Sequence, residues 1–128
     1  MIEGIHHISL LVSSEKTLEF YKLLGFQESY RKERKEDKVV LLDGYGIQLE
    51  VFVDARHPKR ELDMSEPTGP RHFALKVNDI EAEVNRLKEI FKKQLGYDPE
   101  FEEISSDWTG ERYVFFKDPD GGVVELHE

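Results

Sequence analysis

His7-Ile8-Ser9-Leu10-Leu11-Val12 and His72-Phe73-Ala74-Leu75-Lys76-Val77 carry the same pattern, H-x-x-L-x-V, twice in one chain. Each is answered later by G-x-x-x-E and an aliphatic residue: Gly46 to Glu50-Val51, and Gly121 to Glu125-Leu126. An internal repeat therefore puts one His at the head of a strand-like run, and one Glu inside another, in each half. Taken singly, each of these residues reads as an ordinary surface side chain on a sheet with one wet face. Taken as two equivalent pairs they read differently, because coincidence would have to act twice. An ionised Glu on an otherwise apolar strand face costs several kcal/mol if unpaired. A metal ion is an economical partner, and imidazole with carboxylate suits zinc, nickel, cobalt, iron or manganese. The strand period puts Glu50 on one face with Gln48 and Phe52, and Glu125 with Val123 and His127. The same period makes His6 and His7 point to opposite faces; the repeat selects His7. His57 and His127 lack repeat partners and are not expected at the metal. Trp108, Tyr113 and Phe115 are candidates to line a pocket.

The stretches between these motifs repeat in order. A strand is expected over 5–12, then a helix to about Leu24 with Leu18, Tyr21 and Leu24 on one stripe and Phe20 beside it. Ser13-Ser14 offers an N-cap and Gly25 a stop. Strands follow near 26–32, 38–42 and 47–53. The second half has a strand over 71–77 and a capping box at Asn78-x-x-Glu81. Its helix carries Ile80, Val84, Leu87, Phe91 and Leu95 at helical spacing and stops at Gly96. Strands are then expected near 100–104, 112–117 and 123–127, the last after the turn Asp118-Pro119-Asp120-Gly121. Each half is β-α-β-β-β, so the fold class is α+β: two such modules with curved, mainly antiparallel sheets. The modules span 1–54 and 71–128, joined by a Pro-rich connection over 55–70, all within one domain.

Size and charge limit the partners. The 128 residues suit a single domain. The formal charge of −9 disfavours nucleic acid and anionic membranes, which want basic patches. No run approaches the roughly 20 apolar residues of a membrane span. No signal-peptide pattern opens the chain, and a cytoplasmic location is expected. The absence of cysteine excludes disulfides, thiolate metal sites and Cys nucleophiles.

His7 in H-x-x-L-x-V, Glu50 in I-Q-L-E-V, His72 in R-H-F-A-L-K-V and Glu125 in D-P-D-G-G-V-V-E-L closely resemble the vicinal oxygen chelate superfamily. That superfamily includes glyoxalase I, bleomycin-resistance proteins and extradiol dioxygenases. The resemblance covers nearly the whole chain. It implies paired βαβββ modules around a central metal site, one divalent metal (zinc or nickel first, then cobalt, manganese or iron), and a homodimer acting on a small molecule. It implies His7, Glu50, His72 and Glu125 as metal ligands. Glutamate at the position of Glu50 resembles glyoxalase I. The implied activity is a lyase or isomerase, lactoylglutathione lyase-like, that acts on vicinal oxygens through an enediolate. Either Glu50 or Glu125 is then the catalytic base, with Glu125 preferred as the group that leaves the metal and shuttles the proton. Two rivals remain: an Fe(II) ring-cleaving dioxygenase using His7, His72 and Glu125, and a small-molecule binding or resistance protein without chemistry. Leu11 and Asp54 stand where bacterial glyoxalase I commonly has an Arg and an Asn that hold glutathione. Lys59, Arg60 and Arg112 are the cations available to replace them.

Overall fold

Apolar residues at helical spacing and at strand spacing meet in each half as a helix laid on one face of a sheet. The computed structural model describes residues 1–60 and 68–128. Two compact units divide at residue 58: Met1–Pro58 and Lys59–Glu128. Of the expected 55–70 connection, residues 61–67 lie outside the described residues.

The first unit runs β1 (Ile8–Val12), α1 (Glu15–Leu23), β2 (Gln27–Glu33), β3 (Lys38–Gly44) and β4 (Ile47–Val53). The second runs β5 (Phe73–Lys76), α2 (Ile80–Leu95), β6 (Ser105–Ser106), β7 (Arg112–Lys117) and β8 (Val123–His127). The strand orders are β1-β4-β3-β2 and β5-β8-β7-β6, the same permutation twice. In both sheets the head strand pairs in parallel with the last strand, and the remaining pairings are antiparallel.

Leu18, Phe20 and Tyr21 of α1 are buried, as are Val40, Leu42, Leu49 and Val51 of β3 and β4. In the second unit Ile80, Leu87 and Phe91 are buried, with Val114, Phe116, Val124 and Leu126 of the sheet. Full burial contributes roughly 1.5–3 kcal/mol for each large apolar side chain. The alternate strand residues face the other way and are only partly covered, which leaves each sheet one face for chemistry.

Three local expectations are corrected. The second helix is capped by Asp79, not Asn78: the Asp79 carboxylate accepts the Ala82 N–H at 3.0 Å, one residue nearer the first turn. At the first helix Ser14 occupies the N-cap, but its side chain makes no capping bond. Regular strand near 100–104 is reduced to Ser105–Ser106. The chain before it still bonds to the edge of β7, through Glu102 N–H to the Phe115 carbonyl and Lys117 N–H to the Pro99 carbonyl. Glu100 interrupts the ladder with a left-handed backbone, φ 55°.

The turn before β8 depends on Gly121. Its φ is 84°, and a Cβ there would stand 2.1 Å from the Arg60 carbonyl oxygen. Arg60 N–H also donates to the Asp120 carbonyl at 2.8 Å, so that neighbour is tied to the turn. Gly121→Ala is expected to destabilise the fold by about 1–3 kcal/mol, through strained backbone and displaced chain. Denaturant unfolding would measure it; a change below about 0.5 kcal/mol, the range of ordinary surface substitutions, would contradict this role.

Candidate metal centre

His7 and His72 each stand one residue before their strand begins, where the chain is no longer held by the ladder. Two residues on from His7, Ser9 pairs with Glu50. Two residues on from His72, Ala74 pairs with Glu125. The two halves therefore present His and Glu in the same register, as parallel pairing of first and last strands dictates.

The resulting pairs are close. His7 Nε2 lies 3.7 Å from Glu50 Oε1, both side chains about one-third exposed. His72 Nε2 lies 2.7 Å from Glu125 Oε2. Donor atoms sharing one ion with bonds near 2.0–2.2 Å stand about 3 Å apart, and these two separations bracket that figure. Each pair, one imidazole with one carboxylate, is of a kind that suits a borderline divalent ion. Glu125 is 8% exposed. Its second oxygen, Oε1, faces His127 Nε2 at 4.0 Å, beyond hydrogen-bonding range. A buried carboxylate placed this way fits a ligand better than a structural acid, whose oxygens would be saturated.

His6 does not turn away as strand alternation predicted. Residues 6 and 7 precede β1, so the alternation does not govern them, and the two Nδ1 atoms lie 2.9 Å apart. When His7 Nδ1–H donates to His6, His7 Nε2 keeps its lone pair on the Glu50 side. A second ring nitrogen tied in this way is the usual support of a ligating imidazole.

His127 is also nearer the site than expected. It lies on the face of Glu125, as its position two residues later in a strand requires. Asp107 Oδ2 meets its Nε2 at 2.9 Å, and the Glu128 carbonyl meets its Nδ1 at 2.7 Å. Those acceptors, Asp107 first, raise the pKa of His127. Asp107 Oδ1 accepts the Thr109 N–H, the Thr109 hydroxyl and the Glu111 N–H. With Thr109 the largest cause and His127 next, its carboxyl is held at about 2. Asp107, Glu111 and His127 bring donor atoms within 4.8 Å of one another. The sequence marks His127 by strand period, but nothing in it marks Asp107, which arrives on a loop.

The positions that depart from bacterial glyoxalase I are settled locally. Leu11 is 51% exposed on β1, paired with Phe52. Asp54 is buried and turned to Arg56, whose guanidinium bonds it at 2.6 and 2.9 Å and lowers its pKa far below the usual carboxylate range. It is a structural anchor with His57 3.3 Å away, not a charge awaiting substrate. Arg112 is taken up by Glu81 and Glu128, and Arg60 Nη2 donates to the Pro70 carbonyl. Trp108 is 98% exposed, and the Tyr113 ring stacks on that of His127. Phe115 sits edge-on to His72, with ring centres 4.9 Å apart, and forms the floor of a cavity of about 310 Å³ that opens beside it.

The model of the Glyoxalase/Bleomycin resistance protein/Dioxygenase superfamily matches residues 4–126. The chain belongs to that superfamily. Among curated proteins, it is similar to the uncharacterized protein YwkD of Bacillus subtilis, 39% identical over 100% of this chain and 98% of that one. It is also similar to the uncharacterized protein YaeR of Escherichia coli, 32% identical over 99% and 97%. A solved glyoxalase family protein from Enterococcus faecalis superposes with a TM-score of 0.81, at 31% identity over 98% of each chain. The same fold recurs at lower identity. A lactoylglutathione lyase from Agrobacterium tumefaciens gives 22% identity and a TM-score of 0.64, over 99% of this chain and 94% of that one. The fosfomycin resistance protein FosX from Listeria monocytogenes, complexed with Mn(II), gives 23% and 0.71, over 99% and 93%. Among the described residues, no helix of this superfamily member is long and apolar enough to cross a membrane.

Proposed function

We propose that this chain is a metal-dependent lyase or isomerase of the glyoxalase I type, with His7 and Glu50 of the first module and His72 and Glu125 of the second as its metal ligands. The observation that carries the reading is the equal register of the two His–Glu pairs. A site used by chance residues has no reason to repeat its offsets. FosX, a protein of the same fold, is described with Mn(II), which agrees with a metal in this scaffold.

A divalent ion held by these residues would supply Lewis acidity for negative charge developing on the substrate. The remaining work falls to this chain. Glu125 accepts the proton leaving a C–H carbon and returns it to the adjacent carbon, so the step is a proton transfer with no net gain or loss of atoms. The Phe115 ring packs edge-on against His72 and helps to orient that imidazole beside Glu125. Glu50 and His7 form the matching pair. The nearness of Glu50 to His7 favours this reading over a dioxygenase, which would leave Glu50 with no part.

The test is an assay with methylglyoxal and a panel of thiols, on protein loaded with nickel and, separately, zinc. Consumption of the adduct with formation of the hydroxyacyl thioester is expected. Metal-loaded protein that turns over no adduct, yet takes up oxygen with catechols, would replace the lyase by the dioxygenase.

A further inference from the structure

The end of β8 gathers a set of donors that the proposed reaction does not use. Among the described residues, Asp107, Glu111 and His127 are the one group of three His, Asp or Glu side chains whose donor atoms lie within 4.8 Å of one another. All three belong to the second unit, and none belongs to the His7–Glu50 or His72–Glu125 pair. His127 is placed as a ligating ring is placed. Its Nδ1–H donates to the Glu128 carbonyl at 2.7 Å, which leaves Nε2 as the ring's one possible ligand atom. Tyr113 stacks on the ring at an interplanar angle of 14° and holds its plane.

Asp107 Oδ2 stands 2.9 Å from Nε2, close to the separation of about 3 Å that two ligands of one ion keep. Three bonds on its other oxygen, from the Thr109 N–H, the Thr109 hydroxyl and the Glu111 N–H, hold it there. Glu111 offers a third donor from the open side: its side chain is 59% exposed, and its Oε2 lies 3.6 Å from the His127 ring. A separate observation also points to a cation. Glu125 is 8% exposed and aims Oε1 at the same Nε2 from 4.0 Å, and among the described residues no hydrogen bond reaches that oxygen. Two carboxylates thus converge on one ring nitrogen, whose single hydrogen bond serves only Asp107. A divalent ion in place of that hydrogen sets a charge of two before both.

We propose that Asp107, Glu111 and His127 hold a divalent ion of their own, through His127 Nε2, Asp107 Oδ2 and a Glu111 carboxylate oxygen, with water completing its shell. One imidazole and two carboxylates suit a borderline ion such as zinc, nickel, cobalt or manganese. The ion ties the 107–111 loop to β8 and sets a positive charge beside Glu125 without being bonded to it. Because the Glu111 side is open to solvent, the affinity is expected to be modest. The inference goes beyond the proposed lyase and does not depend on it.

Trp108 is the chain's single tryptophan and the neighbour of Asp107, so its emission reports on this site. The metal-stripped full chain would be titrated with nickel, which quenches a nearby indole, while equilibrium dialysis counts the bound ions. A quenching phase tied to one nickel per chain is expected. Asp107→Asn keeps an oxygen for the Thr109 and Glu111 bonds, and with His127→Gln it should weaken that phase about tenfold or more. Glu111→Gln, an exposed change that leaves the fold undisturbed, should weaken it as well, and His72→Ala should leave it unchanged. Nickel binding without quenching, or quenching that Asp107→Asn and Glu111→Gln both leave intact, would overturn the proposal. Quenching lost in His72→Ala alone would also overturn it, by assigning the ion to the His72–Glu125 pair. A parent that shows the quenching phase but turns over no adduct would keep this ion and discard the lyase.

Discussion

Glu125→Gln is expected to bind about as much divalent metal per chain as the parent and to turn over about 10²–10⁴-fold more slowly, the contribution usual for a positioned acid–base group. Glutamine keeps the shape and one oxygen donor but cannot accept a proton. The surroundings tolerate the change, since His72 already contacts one oxygen and no hydrogen bond to Oε1 is lost with His127 4.0 Å away. Elemental analysis beside initial rates separates the two roles. Glu50→Gln is the control: its carboxylate stands farther from its His and is more exposed, so it should slow turnover less. If Glu50→Gln is the dead variant and Glu125→Gln keeps a tenth or more of the rate, the shuttle belongs to the first module.

Removal of metal is expected to have a comparable effect on stability. Protein stripped by chelator should regain roughly 2.7 kcal/mol on addition of nickel or zinc at a hundred times its dissociation constant, a rise in melting temperature on the order of 10 °C for a chain this size. His72→Ala should lose most of that rise, because it deletes one donor and leaves the buried Glu125 carboxylate without its nearest partner. The loss should appear as a smaller metal-induced shift, beyond any change in the metal-free melting point. A full shift in His72→Ala would remove this residue from the ligand set.

The repeat made the module order readable, because a pattern that fixes strand faces also fixes which strands can carry equivalent residues. Helix faces were legible from spacing: Leu18, Tyr21, Ile80, Leu87 and Phe91 are all buried. His7 and His72 were found by motif, and the structure sets each beside the Glu of its own module. What resisted was chosen by contacts between distant parts of the chain. Asp79 prevailed over Asn78 through a single N–H one residue along. Asp107 reaches His127 from a loop whose conformation is set by its own carboxylate bonds. The strand near 100–104 failed because Glu100 took a backbone conformation that propensity alone does not foresee. Asp54 stands at a position that helps to hold glutathione in bacterial glyoxalase I, and only Arg56 two residues on shows that its carboxylate is engaged.

Parallel pairing of first and last strands has a consequence for assembly. His7 and Glu50 come from opposite ends of one module's sequence, and so do His72 and Glu125, with a helix and two strands threaded between them. Neither pair of donors can form from a local hairpin. Each exists only after the longest loop of its module has closed, the slowest kind of contact to make. Capture of metal by a half-made chain is thereby disfavoured, and the ion becomes a late reporter of completed topology rather than a nucleus for it.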